Sequence, residues 1–389
     1  MADDAADIMV FMSYSRAGAE QEMADGEKRI VIAGAGSIGC YVGGCLALAG
    51  RQVVLLARPR IEAALRQGGL RVSDLEGRDR LVKPDALGVT ADPAVALPQA
   101  DVILVTVKSG ATQEMAALIK AHARPDAVVI SLQNGVDNAD RLRARSGQRT
   151  VLAGMVPFNV VQSPDGELPL RVHRASEGKV MIEDGGLAGL LDVAGLLDVE
   201  GLAVETHGDM KAVLWGKLLM NLNNALVALS DLPLARELAD RRWRLILAGQ
   251  IDEALRAMNA SGIAPARIAG LRPALLPKVL RLPDWLFKLL ARRMLAIDPQ
   301  ARSSMWDDLQ RGRPTEIGEL QGAVLGLAQR TGTPVPLLYQ AFDLLYLDGR
   351  SLVDVPLEQR KKLLELVLRP TSRVRYATHI DTEGVAFFE

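Results

Sequence analysis

From residue 29 onward, short apolar runs rich in valine, isoleucine and leucine alternate with stretches of helical period. "RIVIAG" (29–34) predicts a strand, "SIGCYVGGCLALAG" (37–50) a helix closed by glycine, and "QVVLLAR" (52–58) a second strand. "ADVILVTVK" (100–108) and "DAVVISLQNG" (126–135) read as buried strands that end in polar residues. Strands separated by helices predict βαβ units and a parallel sheet. From about 150 to 206, "TVLAGMVPFNVV", "LPLRVHR" and "GKVMIE" predict further strands with turns between them, an antiparallel extension of that sheet. After about residue 207 the period becomes helical and stays so to about 368, with proline-bearing joints such as "LPLARE" and "LRPALLPKVLRLPDW". Within this stretch "DWLFKLLARRMLAI" is amphipathic and basic, and is expected to pack on its own domain or on a subunit partner. The fold class predicted is α/β, a parallel-sheet domain followed by an all-helical one.

Composition narrows this picture. A chain of 389 residues exceeds what one hydrophobic core usually serves, so two domains are expected. With 49% hydrophobic and 24% charged residues it reads as globular, and a formal net charge of -1 argues against an electrostatic grip on nucleic acid. Residues 30 to 50 carry no charge, but their glycines break the run into strand, turn and helix, so no membrane span is expected there. The first 28 residues lack the basic start and apolar run of a signal peptide and read as a flexible tail. Cys40 and Cys45 share one predicted helix, which points to reduced thiols and a cytoplasmic setting. The four histidines are scattered and no cluster has metal-ligand spacing, so no metal is expected.

Candidate chemistry lies in three places. "GAGSIG" sets Gly34, Gly36 and Gly39 in the G-x-G-x-x-G spacing, with Ser37 and Ile38 between, directly after a strand and at the start of a helix. That context is the one a Rossmann-type dinucleotide site needs: a tight turn, close backbone approach to the pyrophosphate, and a helix N-terminus facing it. The second strand ends with Arg58 rather than an acid, which favours the 2′-phosphate of NADP(H) over the bare ribose of NAD. Lys108 and Asn134 end two further strands, where side chains reach the crevice beyond the sheet. The second place is "WGKLLMNLNN" (215–224), an apolar stretch that carries a lysine and three asparagines. On a helix Lys217, Asn221 and Asn224 fall at i, i+4 and i+7 along one stripe, while Asn223 points away. Such donors suit a carboxylate and a carbonyl, and the ammonium suits proton delivery to the carbonyl oxygen as hydride arrives at carbon. A polar seam between helices or domains is the competing reading. The third is "SSMWDDLQRGRPTEIGEL" (303–320), where Ser303 and Ser304 read as helix caps or ligand contacts, and Glu316 as a first-turn acid or a site residue.

Taken together, "GAGSIG", Arg58, "VTVK", "LQNG", "WGKLLMN" and "SSMWDDLQRGRPTEI" resemble the ketopantoate reductase (2-dehydropantoate 2-reductase) family, in the family's order from about residue 29 to 340. The resemblance implies a Rossmann domain, a helical domain, and NADPH-dependent reduction of ketopantoate to (R)-pantoate on the pantothenate route. It implies that Lys217 is the general acid, Asn134 lies near nicotinamide and substrate, and Asn221 and Ser304 touch substrate. It further implies that Glu316 binds the substrate hydroxyl and that Arg58 and Lys108 contact NADP. Where the family often has a second asparagine eight residues after the lysine, this chain has Ala225, with Asn224 one place earlier on the stripe. The organisation expected is a tail over 1–28, an NADP-binding Rossmann domain over 29–206, and a helical substrate domain over 207–389 that includes a C-terminal extension. A reductase of another 2-oxo acid, or a non-catalytic sensor of NADP(H), stays open at this point, as does a homodimer.

Overall fold

Runs of β-branched and apolar residues bounded by turns form the strands of the N-terminal unit. They are β1 (Arg29–Ala33), β2 (Gln52–Leu56), β3 (Leu70–Asp74), β4 (Asp79–Val82), β5 (Gly88–Thr90) and β6 (Val102–Val105). Beyond them come β7 (Val128–Ser131), β8 (Val151–Met155), β9 (Val160–Gln162), β10 (Leu170–Arg174), β11 (Val180–Glu183) and β12 (Val204–His207). The helices between them are α1 (Ser37–Leu48), α2 (Pro59–Gly68), α3 (Pro93–Ala96), α4 (Thr112–His122), α5 (Asn138–Arg143) and α6 (Val193–Leu197). The computed structural model describes residues 28–163, 168–185, 193–267, 270–290 and 301–335, with short pieces at 340–341, 346–347, 350–351, 359 and 375–376. It divides into two compact units, residues 1–210 and 211–389.

The main sheet has the order β12-β11-β8-β7-β6-β1-β2-β5. From β8 to β5 every neighbouring pair is parallel. Alternation along the central strands fills two cores: Ile30, Ile32, Leu55, Leu104 and Ile130 face the layer containing α1, while Val31, Ala33, Ile103, Val105 and Val129 face the layer of α4. Burial on both faces explains why these strands read as continuous apolar runs. The chain winds outward from β1 through β2 to β5, then returns to the other side of β1 with β6, so the strand order reverses between β1 and β6. At such a reversal the crevice beyond the strand ends is where doubly wound sheets bind ligands.

The expected antiparallel extension takes a different form. β8 joins the main sheet in parallel with β7; β11 runs antiparallel to β8, and β12 parallel to β11. β9 and β10 leave that sheet and build a second one of order β4-β3-β10-β9, in which Leu70 pairs with Leu170. This pairing joins segments about a hundred residues apart, and alternation within a strand does not encode its partner. Cys40 and Cys45 are buried and unbonded to one another in α1, and desolvation pushes their thiols up to about 12 and about 11.

The C-terminal unit contains α7 (Met210–Asn221), α8 (Asn223–Ser230), α9 (Leu234–Ala239), α10 (Arg241–Ala260), α11 (Leu276–Leu280), α12 (Asp284–Leu290), α13 (Ser304–Gln310) and α14 (Ile317–Thr331). Prolines mark the starts as expected: Pro233 precedes α9 and Pro283 precedes α12. Asp240 caps α10 by accepting from the Arg242 N–H, and Gly332 ends α14 in the left-handed conformation. The Arg244 guanidinium is fully buried and donates to the carbonyls of Leu238, Ala239, Leu280 and Leu282 and to Asp284, tying the start of α10 to α11 and α12. The helical expectation does not hold to residue 368: Gln340–Ala341 pairs with Arg375–Tyr376, and Tyr346–Leu347 with Arg350–Ser351, as two-residue strands. Such short pairs are set by turns and distant partners rather than by periodicity. The N-terminal tail, most of the C-terminal extension and residues 291–300 lie outside the described residues. Among the described residues Met210–Ser230 has the length and hydropathy of a membrane span, and most of it is buried within the protein as a core helix would be.

Candidate active site

The glycine loop occupies the strand-order reversal. Gly34 sits at φ +120, and a side chain there would meet the Val107 backbone nitrogen at 2.7 Å. Its carbonyl accepts from Thr106 Oγ1 at 2.6 Å, which pins the loop to the end of β6. At Gly39 an added Cβ would fall 2.0 Å from the Gly34 carbonyl oxygen, so the third glycine is required for helix and loop to pack. Gly36 is different: it is exposed, has an ordinary extended backbone, and an added Cβ would meet nothing within 4 Å. The protein's own packing gives no reason for glycine there, whereas a pyrophosphate drawn against the backbone does. Gly36 caps α1, whose first turn carries no acid to repel a phosphate. These residues fit a dinucleotide.

Four adjacent strands deliver the remaining candidates of this unit to one edge. In the order β7-β6-β1-β2, they end at Asn134, Lys108, the glycine loop and Arg58. Arg58 is exposed and caps α2, with Pro59 following it. Lys108 is exposed at the start of the turn Ser109–Ala111. Asn134 is part-buried, and Gly135 after it takes φ +100.

In the C-terminal unit Lys217 is part-buried on α7, between the buried Trp215 and Leu218. Desolvation pushes its ammonium down to about 8, while the charge of Glu316 acts the other way. Glu316 is part-buried and occupies the cap position of α14 without accepting a capping hydrogen bond. Asn221 ends α7 and Asn224 lies in the first turn of α8, after Asn223; both are part-buried. Between the two helices Leu222 keeps helical backbone angles, φ -56 and ψ -28; its N–H donates to the Leu218 carbonyl, and its own carbonyl accepts from Gln321 Nε2 at 2.9 Å.

Ser303 is buried and caps α13 by accepting from Trp306 N–H, and it donates to the Asn224 carbonyl at 2.9 Å. Ser304, the residue singled out in sequence, is exposed in the first turn. Asn223 turns away from the stripe as expected, into the interior, where Nδ2 donates to Glu237 Oε2 at 3.0 Å. Glu237 is a buried carboxyl that the sequence does not distinguish from a solvated helix acid. Burial pushes it up to about 7, against the pull of the Asn223 amide and the Arg244 charge, while Asp240 adds to the rise. Glu237 Oε1 and Asn223 Oδ1 are both buried without a protein hydrogen-bond partner. No group of three His, Cys, Asp or Glu side chains suited to a metal occurs among the described residues.

Residues 30–186 match the family profile described as ketopantoate reductase PanE/ApbA, and residues 209–347 match its C-terminal counterpart. A PanE/ApbA family ketopantoate reductase from Ralstonia eutropha JMP134 is 30% identical over 80% of this chain and 94% of its own, with a TM-score of 0.66. The chain belongs to the ketopantoate reductase family. The 2-dehydropantoate 2-reductase of Halobacterium salinarum is 28% identical over 328 residues, 83% of this chain and 99% of that protein. A D-mandelate dehydrogenase solved with NADH and anilino(oxo)acetate shares the fold, with a TM-score of 0.65 at 20% identity over 80% of this chain and 94% of its own. As a member of the ketopantoate reductase family the protein is an oxidoreductase that works with a nicotinamide cofactor.

Proposed function

We propose that the protein reduces 2-dehydropantoate to (R)-pantoate with NADPH, Lys217 serving as the proton donor, in a cytoplasmic setting and as a homodimer. The observation that carries this reading is a part-buried lysine in the otherwise mostly buried helix α7, its ammonium lowered to about 8 by desolvation while the charge of Glu316 acts the other way. Such a group is protonated at neutral pH yet gives its proton up far more readily than an exposed lysine does. NADPH, when bound, supplies the hydride to the carbonyl carbon. Lys217 delivers the proton to the carbonyl oxygen and relieves the negative charge that develops there. Asn221 and Asn224, whose side-chain amides make no hydrogen bond to another described residue, offer donors for the carboxylate and carbonyl. Glu316 binds the substrate hydroxyl and keeps Lys217 charged. Gly34, Gly36, Ser37, Ile38 and Gly39 hold the pyrophosphate, Arg58 the 2′-phosphate, and Lys108 and Asn134 the nicotinamide half. Ser304 contacts substrate from the start of α13.

The test is NADPH consumption, followed by absorbance, with ketopantoate and a panel of other 2-oxo acids. Ketopantoate should give the highest kcat/KM; a clear preference for another acid would reassign the substrate. In the same assay an Arg58→Ala variant should lose about tenfold to a hundredfold in kcat/KM with NADPH, the worth of a charge-assisted phosphate contact, and little with NADH. An unchanged ratio of the two cofactors would take Arg58 out of the site.

A further inference from the structure

Beneath the edge that carries Lys108 and Asn134 lies a set of buried polar side chains that neither cofactor nor substrate is proposed to touch. Ser109, Thr112, Ser131, Gln133 and Asn138 are each at most 5% exposed. Their hydrogen bonds run in one direction. Ser131 Oγ donates to Gln133 Oε1 at 3.2 Å, and Gln133 Nε2 donates to the Val107 carbonyl at 3.0 Å and to Thr112 Oγ1 at 2.7 Å. Thr112 Oγ1 lies 2.9 Å from Asn138 Oδ1 and 2.8 Å from the Ser109 carbonyl, two acceptors for its one hydrogen. Asn138 Nδ2 then donates to Ser109 Oγ at 2.9 Å and to the Asn134 carbonyl at 2.5 Å, and Ser109 Oγ donates to that same carbonyl at 2.9 Å. Every amide and hydroxyl hydrogen of the five side chains has an acceptor, so both amide orientations are fixed by the network itself.

The network ends at one carbonyl oxygen, which accepts from Asn138 on α5 and from Ser109 in the loop after β6. That carbonyl belongs to the peptide between Asn134 and Gly135, and Gly135 takes the φ of +100 that glycine accommodates. Two donors on this oxygen hold the peptide plane, and with it the direction in which the Asn134 side chain leaves the backbone. They also join the loop after β6, which carries Lys108, to the loop after β7. We infer that Asn138, backed by Thr112 and Gln133, is a positioning residue of the reaction: it acts through Asn134, by locking the two strand-end loops into one unit. This rests on the proposed roles of Asn134 and Lys108, but the locking itself is a property of the fold.

The test has two arms on the full-length chain. Amide hydrogen exchange reads the locking directly. An Asn138→Ala variant should exchange at least about tenfold faster at residues 109–110 and 134–136, with β1 and α1 unchanged. Thr112→Val, nearly isosteric without the hydroxyl, should do the same, and Thr112→Ser, which keeps it, should restore the protected pattern. The serine and valine pair decides the matter if Asn138→Ala does not fold. Unchanged exchange in both loops would overturn the inference, whatever the activity of the protein. The second arm is a double-mutant cycle on kcat. Asn138→Ala alone should cost about tenfold through misplacement of Asn134, but less than about twofold when Asn134 is already alanine. Losses that multiply would show that Asn138 does not act through Asn134. Absence of turnover in the unmutated protein with every 2-oxo acid tested would sink the proposed function instead, leaving the exchange result to decide the locking.

Discussion

Replacing Lys217 by alanine is expected to lower kcat for ketopantoate reduction by roughly 10²- to 10⁴-fold, the usual worth of a positioned proton donor. The affinity for NADPH should stay within about twofold, because the side chain is proposed to meet the substrate oxygen rather than the coenzyme. Loss of turnover with cofactor binding retained is the signature of an interaction made in the transition state alone. Lys217→Arg separates charge from proton delivery. Arginine keeps a cation at the position, but its guanidinium holds its proton too tightly to give it up near neutral pH, so this variant should be almost as slow as alanine. Steady-state rates with either substrate varied, together with NADPH fluorescence titration, measure all of these quantities. Normal turnover in Lys217→Ala would mean that the lysine is only a polar seam in the helical unit.

The second large effect is expected at Gly36. Its backbone angles, φ -82 and ψ -170, are open to any residue, and no atom lies within 4 Å of where a Cβ would stand. Gly36→Val should therefore fold like the unmutated protein. The new side chain would nevertheless hold a pyrophosphate off the backbone at the start of α1. Loss of about 3 kcal/mol in charge-assisted hydrogen bonds weakens NADPH binding roughly a hundredfold. Gly39→Ala makes the contrast: its Cβ would run into the Gly34 carbonyl oxygen at 2.0 Å, so it should damage the fold as well as the site. A folded Gly36→Val that binds NADPH as tightly as the parent would remove the dinucleotide from this loop.

The residues that announce themselves in the sequence are those whose chemistry clashes with their surroundings. Three spaced glycines after a buried strand, and a lysine with asparagines inside an apolar helix, are costly unless something needs them. Gly34, Gly36, Gly39 and Lys217 are legible for that reason. Strands β1, β2, β6 and β7 are legible because burial on both faces leaves continuous apolar runs. What the sequence hides depends on partners far along the chain. β10 pairs with β3 through Leu170 and Leu70, and nothing in either segment names the other. Glu237 reads as one more helix acid until Asn223 is found against it. The Leu222 carbonyl is taken up by Gln321, 99 residues later. Asn138 and Thr112 look like ordinary cap and turn residues of "QNGVDN" and "SGAT", and only the adjacency of β6 and β7 turns them into a network.

The central claim is that Lys217 gives a proton to a 2-oxo acid as NADPH reduces it, and the pH dependence of kcat/KM for ketopantoate tests it most directly. The ammonium is the active form, so reduction should be insensitive to pH below the Lys217 pKa of about 8. It should fall about tenfold per pH unit above that point, while oxidation of pantoate, which needs the free amine, rises through the same range. A reduction rate that stays level well past this point, or NADPH that is never consumed, would contradict the account.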